Sequence, residues 1–323
     1  MTRTSRPATN RLRGAFTALV TPFRRDGSLD EDAFRSLVSW QLLAGIDGLV
    51  PCGTTGESPT LSPEERERLI EITVETVRAH RAGGRVSVLA GTGTNDTAAT
   101  IVATRRAAEI GADAALVVAP YYNRPDQRML EAHYRAVADD GALPVVVYNV
   151  PSRTGTNVEA ATLLRLAEHP RIVGVKEASG NLDQIATILR DRPRGFSVLA
   201  GDDAWTLTVL AHGGDGVVSV ASNEIPSQMV ALCAAAHAGD WDEARRVHER
   251  YLDLFRINFI SPNPVPVKAA LAQMGLTTDM VRTPLLPLAD EQRSRLIAVL
   301  AAAGLLESRP RAIAIDDSTR AVA

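Results

Sequence analysis

Short apolar runs alternate with helical patterns along most of this chain, and this alternation strongly limits the folds it can adopt. Each run has four to six residues, and several are rich in Val, Ile and Ala, which is typical of buried parallel strands. The eight predicted strands are Ala15–Val20, Gly48–Pro51, Val86–Ala90, Ala114–Ala119, Val145–Asn149, Ile172–Lys176, Ser197–Ala200 and Gly216–Val220.

Helical patterns separate these runs, and several carry terminal signals. Ser62-Pro63-Glu64-Glu65 has an N-cap serine, a proline at the first helical position and acids in the first turn, while Gly111 and Gly141 are typical helix stops. Eight strands alternating with eight helices predict a (β/α)8 barrel over residues 13–240. The alternative is a doubly wound sheet, but Gly91-Thr92-Gly93-Thr94 lacks the third glycine of a dinucleotide-binding fingerprint. The predicted helices are 30–44, 62–80, 95–109, 126–139, 157–168, 181–190, 203–212 and 226–238.

The strand pattern stops after residue 240. Trp241–Phe255, Val267–Met274 and Asp290–Leu305 have helical patterns, so residues 241–306 are predicted to form a C-terminal helical appendage with a Pro-rich connector at 261–266. Residues 1–12 are rich in Arg, Ser and Thr, a bias that a transit peptide would share; without an amphipathic period we expect a flexible N-terminal extension. The polar segment 307–323 is expected to be a disordered tail.

Composition argues against several classes of function. A net charge of −3 disfavours nucleic acid or an anionic membrane as partner, and no apolar run reaches the about 18 residues of a transmembrane helix. Two cysteines form no disulfide framework, which favours a cytoplasmic protein. The six histidines show no metal-ligand spacing, so no metal site is predicted. A small-molecule enzyme fits these limits.

Lysine is almost absent from this chain. Of 35 basic residues only Lys176 and Lys268 are lysines, so arginine serves elsewhere. Arginine stays protonated, whereas a lysine in a dry barrel can lose its proton and attack a carbonyl. Lys176 ends the sixth predicted strand, at the face where barrel enzymes place their active sites. Lys176 is therefore either a nucleophile or the partner of a carboxylate, and Lys268 is expected to be replaceable by arginine.

Other strand ends carry polar groups that suit the same face. Gly53-Thr54-Thr55-Gly56 is either a carboxylate cradle or a turn with a helix cap. Tyr148 ends the strand next to that of Lys176 and is the leading proton carrier, with a core aromatic as the alternative. Arg153 is either a bidentate grip on a carboxylate or a solvated side chain. Cys52 is expected to be buried and unreactive.

These strand-end segments resemble a known family. Gly53–Ser58, Pro120–Arg124, Tyr148–Gly155, Gly174–Gly180 and Gly201–Asp203 are similar to motifs of the dihydrodipicolinate synthases, in the pyruvate-dependent class I aldolase superfamily. Ser261–Lys268 resembles their C-terminal region, and the similarity runs from about Gly14 to Leu306. The resemblance implies condensation of pyruvate with L-aspartate-4-semialdehyde on the route to lysine, without a metal or organic cofactor.

The resemblance also implies roles for single residues. Lys176 would form a Schiff base with pyruvate, and Tyr148 would act as general acid and base in a relay with Thr55 and with Tyr122, which would reach across a dimer interface. The pyruvate end would be held by Thr54, Thr55 and the Gly201 region. Arg153 would bind the carboxylate of the second substrate, and the backbone carbonyl of Val218 would approach the active centre. A homo-oligomer, dimer or dimer of dimers, is implied.

Two related functions stay open at this point, together with a question of regulation. Another aldolase of the superfamily, such as an N-acetylneuraminate lyase or a keto-deoxy sugar-acid aldolase, would share the Schiff base; a non-catalytic paralogue would not need Lys176.

Many synthases of this family are inhibited by lysine. Asn95 and Tyr121 match their effector pocket, but Pro63, Arg66 and Ala99 depart from it, so we expect weak or no inhibition.

Overall fold

The computed structural model describes residues 11–80 and 86–306 and contains a closed barrel of eight parallel strands in chain order. All eight predicted strands are present, with ends that differ by at most two residues from the prediction. The predictions for residues 1–10 and 307–323 lie outside the described residues. The strands are β1 (Gly14–Ala18), β2 (Gly48–Val50), β3 (Ser87–Gly91), β4 (Ala114–Val118), β5 (Val145–Asn149), β6 (Ile172–Glu177), β7 (Ser197–Ala200) and β8 (Gly216–Ser219).

Helices follow the strands and surround the barrel. Those of the barrel part are α1 (Glu31–Leu43), α2 (Pro63–Ala79), α3 (Thr97–Ile110), α4 (Gln127–Asp140), α5 (Pro151–Thr154), α6 (Ala160–Ala167), α7 (Leu182–Asp191), α8 (Thr206–Ala211) and α9 (Pro226–Ala238). The C-terminal region adds α10 (Trp241–Ile257), α11 (Val265–Gln273) and α12 (Asp290–Ala302). The short helix α5 is not among the predicted helices. The (β/α)8 barrel with its C-terminal helices is confirmed.

The predicted helix signals act as expected at both ends. Ser62 caps α2, where its hydroxyl accepts the Glu65 amide and the Glu65 carboxylate accepts the Ser62 amide, which makes a capping box. Gly111 ends α3 with φ 106°, a left-handed conformation that favours glycine.

Apolar side chains pack on both faces of the barrel wall. One set of strand side chains packs inside, including Phe16, Leu89, Val146 and Leu199, while the alternate set packs outward against the helices. A third, smaller cluster joins the C-terminal region to the barrel. It contains Val20, Leu37, Val220, Val267 and Leu271, so α11 lies against the segments that follow β1 and β8. The C-terminal helices therefore contact the end of the barrel at which the strands finish.

Candidate active site

Lys176 and Tyr148 meet inside the barrel at the carboxyl ends of their strands. They are direct Cα partners across the β5–β6 ladder, so both side chains leave the sheet on the same face. Tyr148 belongs to the interior cluster, and the Lys176 Nζ lies 4.2 Å from the centroid of its ring. Tyr148 is 6% exposed and Lys176 is 5% exposed. A buried amine and a phenol thus share one small volume, as the strand-end positions predict.

The charges around Lys176 do not form an ion pair with it. Within the described part of the chain, Lys176 has no carboxylate within salt-bridge distance, whereas Lys268 does. Asp202 follows β7 nearby; its burial raises the pKa of its carboxyl, and the charge of Lys176 partly opposes that rise. The geometry therefore disfavours the interpretation of Lys176 as the partner of a carboxylate.

Glu177, the next residue of β6, lies on the opposite face of the sheet. Its carboxylate accepts hydrogen bonds from the Asn149 Nδ2, at 3.0 and 3.3 Å, and from the Ser179 amide at 2.7 Å. Burial raises the pKa of Glu177, and the hydrogen bonds from Ser179 and Asn149 limit the rise. These contacts fix the turn after β6 without using the face that carries Lys176.

The loop Gly53–Ser58 after β2 divides its two threonines between different surroundings. Thr54 lines a cavity of about 240 Å³ together with Tyr148 and Arg153. Thr55 is buried beneath it at 2% exposure, where its hydroxyl accepts a 3.0 Å hydrogen bond from the Asn263 Nδ2. The Asn263 contact thus uses one acceptor position of Thr55, the predicted relay partner of Tyr148, and leaves its O–H as a donor, while Thr54 is the threonine on the cavity wall.

Arg153 stands at the rim of the cavity. It belongs to the one-turn helix α5, which begins at Pro151, a residue with φ already suited to a first helical turn. Its side chain is exposed and lines the cavity with Tyr121 and Thr154. The rim position suits a guanidinium that grips an incoming anion, and this role of Arg153 stays a prediction.

The remaining predicted residues lie at different depths. Gly201 donates its amide to the Glu177 carbonyl at 2.8 Å and lies against the Lys176 side chain. Val218 is fully buried in the barrel interior, where it pairs with Phe16 of β1. Tyr122 differs from these, because it is 90% exposed and has a φ of 72°. Tyr122 does not line the cavity of its own chain.

Sequence reasoning missed two groups that shape this end of the barrel. Asp203, treated only as part of a strand-end motif, accepts the amides of Val220 and Ala221 at 3.0 and 2.9 Å and so holds the turn after β8. Burial raises the pKa of Asp203 to about 6. Asn263 lies in the Pro-rich connector predicted at 261–266. A single amide side chain between two prolines was the available signal, and it did not show which loop the amide would meet.

Other chemistry at the site is limited. Burial raises the pKa of the Cys52 thiol to about 12, so this residue stays a thiol near neutral pH, as expected of a buried cysteine. In residues 11–80 and 86–306, no cluster of three or more His, Cys, Asp or Glu side chains is arranged to hold a metal ion. The helices of the same ranges include none that is long and apolar enough to cross a membrane.

A parallel barrel with a buried lysine and a tyrosine at adjacent strand ends defines a barrel enzyme able to use an amine nucleophile. The model of the dihydrodipicolinate synthetase family matches residues 11–303. The chain belongs to this family. The resemblance noted in the motifs is thereby confirmed over nearly all of the described residues.

Curated relatives agree with this assignment. The 4-hydroxy-tetrahydrodipicolinate synthase of Koribacter versatilis is 49% identical over 299 residues, 92% of this chain and 98% of the relative. The enzyme of the same name from Nitratidesulfovibrio vulgaris is 51% identical over 294 residues, 91% of this chain and 99% of the relative. Within the superfamily, these relatives support a synthase and not another aldolase.

Solved structures show the same fold. Dihydrodipicolinate synthase from Aquifex aeolicus has a TM-score of 0.87 and 41% identity, and the match covers 91% of this chain and 98% of that one. The chloride-inhibited dihydrodipicolinate synthase from Acinetobacter baumannii, solved in complex with pyruvate, has a TM-score of 0.88 and 39% identity, with coverage of 91% and 99%.

Proposed function

We propose that this chain is a 4-hydroxy-tetrahydrodipicolinate synthase, a class I aldolase-type lyase that condenses pyruvate with L-aspartate-4-semialdehyde. The observation that carries the proposal is the buried pair of Lys176 and Tyr148, with a 4.2 Å separation between the amine and the ring centroid, in a chain whose relatives carry this name. The pyruvate complex of the Acinetobacter baumannii relative supports pyruvate as the first substrate.

In the proposed reaction Lys176 attacks the keto carbon of pyruvate and water leaves, which gives an iminium. The positive nitrogen accepts the electron pair released when a methyl proton is removed, and the resulting enamine forms a carbon–carbon bond with the aldehyde. The aldehyde oxygen gains a proton as this bond forms. The amino group of the second substrate then displaces Lys176 and closes the ring, so the lysine is regenerated. This sequence needs no metal or organic cofactor.

Tyr148 is the proposed proton carrier, because its ring centroid lies 4.2 Å from the amine and its side chain lies on the cavity wall. A relay needs a second hydroxyl. Thr55 is the partner that the family resemblance implies, and Thr54 is the one that shares the cavity with Tyr148. Thr54→Val and Thr55→Val separate the two: the true relay member loses kcat, while loss of the other hydroxyl mainly affects stability or KM.

Tyr122 is proposed to act in a second copy of the chain. The residue is 90% exposed and does not line the cavity of its own chain, so we propose that it contacts the cavity of a second copy. A homo-oligomer, dimer or dimer of dimers, fits this placement. The proposed location is the cytoplasm, where its small substrates are available, and no nucleic acid or membrane partner is proposed.

One assay tests the function and the role of Arg153 together. Pyruvate and borohydride should add one pyruvyl group to the wild type on the peptide that contains Lys176, and Lys176→Arg should abolish trapping and activity. Arg153→Ala should keep trapping but lose about a hundredfold in kcat/KM for the semialdehyde, because a charge-assisted contact is worth a few kcal/mol.

Four results would contradict parts of this proposal. Trapping elsewhere than Lys176, or an active enzyme with no trapping at all, would remove the Schiff base. Equal loss of trapping and condensation in Arg153→Ala would make Arg153 structural. N-acetylmannosamine and sugar aldehydes serve as control acceptors, and a preference for either would point to another aldolase.

A further inference from the structure

The second lysine of the chain forms a buried ion pair below the substrate loop. The Lys268 Nζ lies 2.6 Å from the Glu57 Oε1, and the two side chains are 0% and 1% exposed. The ammonium also donates to the Thr21 carbonyl at 2.9 Å and stands 4.3 Å from the centre of the Phe23 ring. The expectation that Lys268 is an ordinary positive charge, replaceable by arginine, does not fit this enclosure.

Glu57 is held in an uncommon backbone conformation by these contacts. Its φ of 55° and ψ of 36° are left-handed, a conformation that residues with a side chain rarely adopt. One carboxylate oxygen is bound by Lys268, and the other accepts the backbone amide of Arg282 at 3.0 Å. Both oxygens are thus tied to the C-terminal region, which stabilises the strained residue from outside the loop.

Glu57 in turn orders the residues that line the cavity. Its amide donates to the Thr54 carbonyl at 3.1 Å, and Gly53, Thr54 and Ser58 all contribute to the cavity wall. The hydrogen bond from Asn263 to Thr55 is a second tie from the same C-terminal region. The loop therefore depends on α11 and its flanks for its shape, although none of these C-terminal residues lines the cavity.

The surroundings of Lys268 suit an ammonium better than a guanidinium. Two acceptors and one aromatic face surround the Nζ, which matches three donors on a compact head. Arginine would bring a larger planar group with five donors into a fully buried position, so the surrounding side chains would have to move to admit it. This explains why lysine is kept here in a chain that otherwise uses arginine.

We propose that Lys268 is a positioning residue for the substrate loop Gly53–Ser58, acting through Glu57 to hold Thr54 at the cavity, and that this role requires lysine and not arginine. The inference rests on the proposed function, since the loop is taken to bind the pyruvate end. The two can fail separately. Absence of pyruvate trapping in the wild type would sink the function, whereas the present inference is decided by variants of an enzyme that traps normally.

The test uses Lys268→Arg and the double variant Lys268→Met/Glu57→Gln. The double variant removes both charges, because a single removal would leave an unpaired buried charge, which is strongly destabilising. Initial rates at varied pyruvate, borohydride trapping and thermal unfolding are measured for each. Both folded variants should raise KM for pyruvate at least tenfold, because the loop holds the pyruvate end of the site, and kcat should fall as well, because the loop also carries the proposed relay threonine.

A matched control pair lies at the opposite end of the barrel. Arg192 and Asp215 form a largely buried ion pair next to the starts of β7 and β8. Arg192→Met/Asp215→Asn should lower thermal stability and leave KM for pyruvate unchanged. The proposal is overturned if Lys268→Arg or the folded double variant keeps the wild-type KM, or if the control raises KM equally. It is also overturned if both Lys268 variants fail to fold while the control folds, because Lys268 would then be purely structural.

Discussion

Replacing Gly201 by alanine tests how closely the turn after β7 fits against Lys176, the proposed nucleophile. A Cβ at this position would lie 2.6 Å from the Cβ of Ala178, 3.1 Å from the Glu177 carbonyl oxygen and 3.2 Å from the Cγ of Lys176. Carbon atoms in contact are normally about 3.5–4.0 Å apart, so the neighbours must move by about 1 Å. Ala178 has no rotamer that could relieve the clash, and the end of β6 must shift with Lys176.

The structure sets the expected size of the effect. Overpacking of this kind typically costs about 1–3 kcal/mol of stability, and a misplacement of about 1 Å can cost about a hundredfold in rate. Gly201→Ala should therefore lower kcat about a hundredfold and slow borohydride trapping, while most of the protein still folds. Steady-state rates, trapping rates and a thermal melt measure these effects.

Gly141→Ala is the matched control for this substitution. Its Cβ would lie 2.6 Å from the Val137 carbonyl oxygen and 2.8 Å from the Thr104 Cγ2, a comparable clash just after α4, at the end of the barrel where the strands begin. It should lower the melting temperature with kcat kept within about twofold, since the reacting groups are not displaced. A Gly201→Ala enzyme with wild-type kcat would refute the argument, as would equal loss of kcat in both variants.

Two further predictions concern regulation and pH. L-lysine should not half-inhibit the enzyme below about 1 mM, which corresponds to roughly 4 kcal/mol of binding. The reason is that Arg66 lines both the cavity and the adjoining groove that contains Pro63 and Ala99, where its charge would repel the effector's ammonium. Half-inhibition below that concentration in a lysine titration would contradict this prediction. Burial lowers the pKa of His133 from 6.5 to about 4. Between these pH values the unfolded chain binds a proton at this histidine that the folded chain does not bind. On the order of 3 kcal/mol of folding stability is therefore lost as pH falls from about 6.5 to 4. His133→Gln should flatten urea-unfolding stability over that window and exposed His212→Gln should not; an unchanged pH slope in His133→Gln would refute the assignment.

The barrel was predictable because its signal is repeated eight times. Each strand is a short apolar run between helix caps and stops, so an error of one or two residues at one end changes nothing in the topology. The one-turn helix α5 was missed for the opposite reason. Pro151-Ser152-Arg153-Thr154 has too few residues for a helical period, and its proline and the following glycine are equally typical of a loop.

The position of Lys176 at a strand end was predictable, but its distinction from Lys268 needed three dimensions. Both lysines are buried, and rarity in the sequence marks them equally. Glu57 and Lys268 are 211 residues apart, so no local pattern shows that, among the residues the structure describes, only one of the two lysines has a carboxylate partner. The same holds for Thr55 and Asn263, which are 208 residues apart. The sequence therefore predicts similar roles for the adjacent Thr54 and Thr55, whereas their surroundings in the structure differ.

The strand period of two explains how one short segment serves both chemistry and architecture. Tyr148 and Lys176 are ladder partners, and so are Asn149 and Glu177, the residues that follow them. Because successive side chains leave a strand on opposite faces, the first pair enters the barrel and the second pair meets the helices. There the Asn149 Nδ2 also donates to Asn157, and Gln184 of α7 donates to the Glu177 carboxylate. A one-residue slip of β6 would exchange these faces and place a carboxylate where the amine is needed, so the outward hydrogen-bonded pair fixes the register on which the inward pair depends.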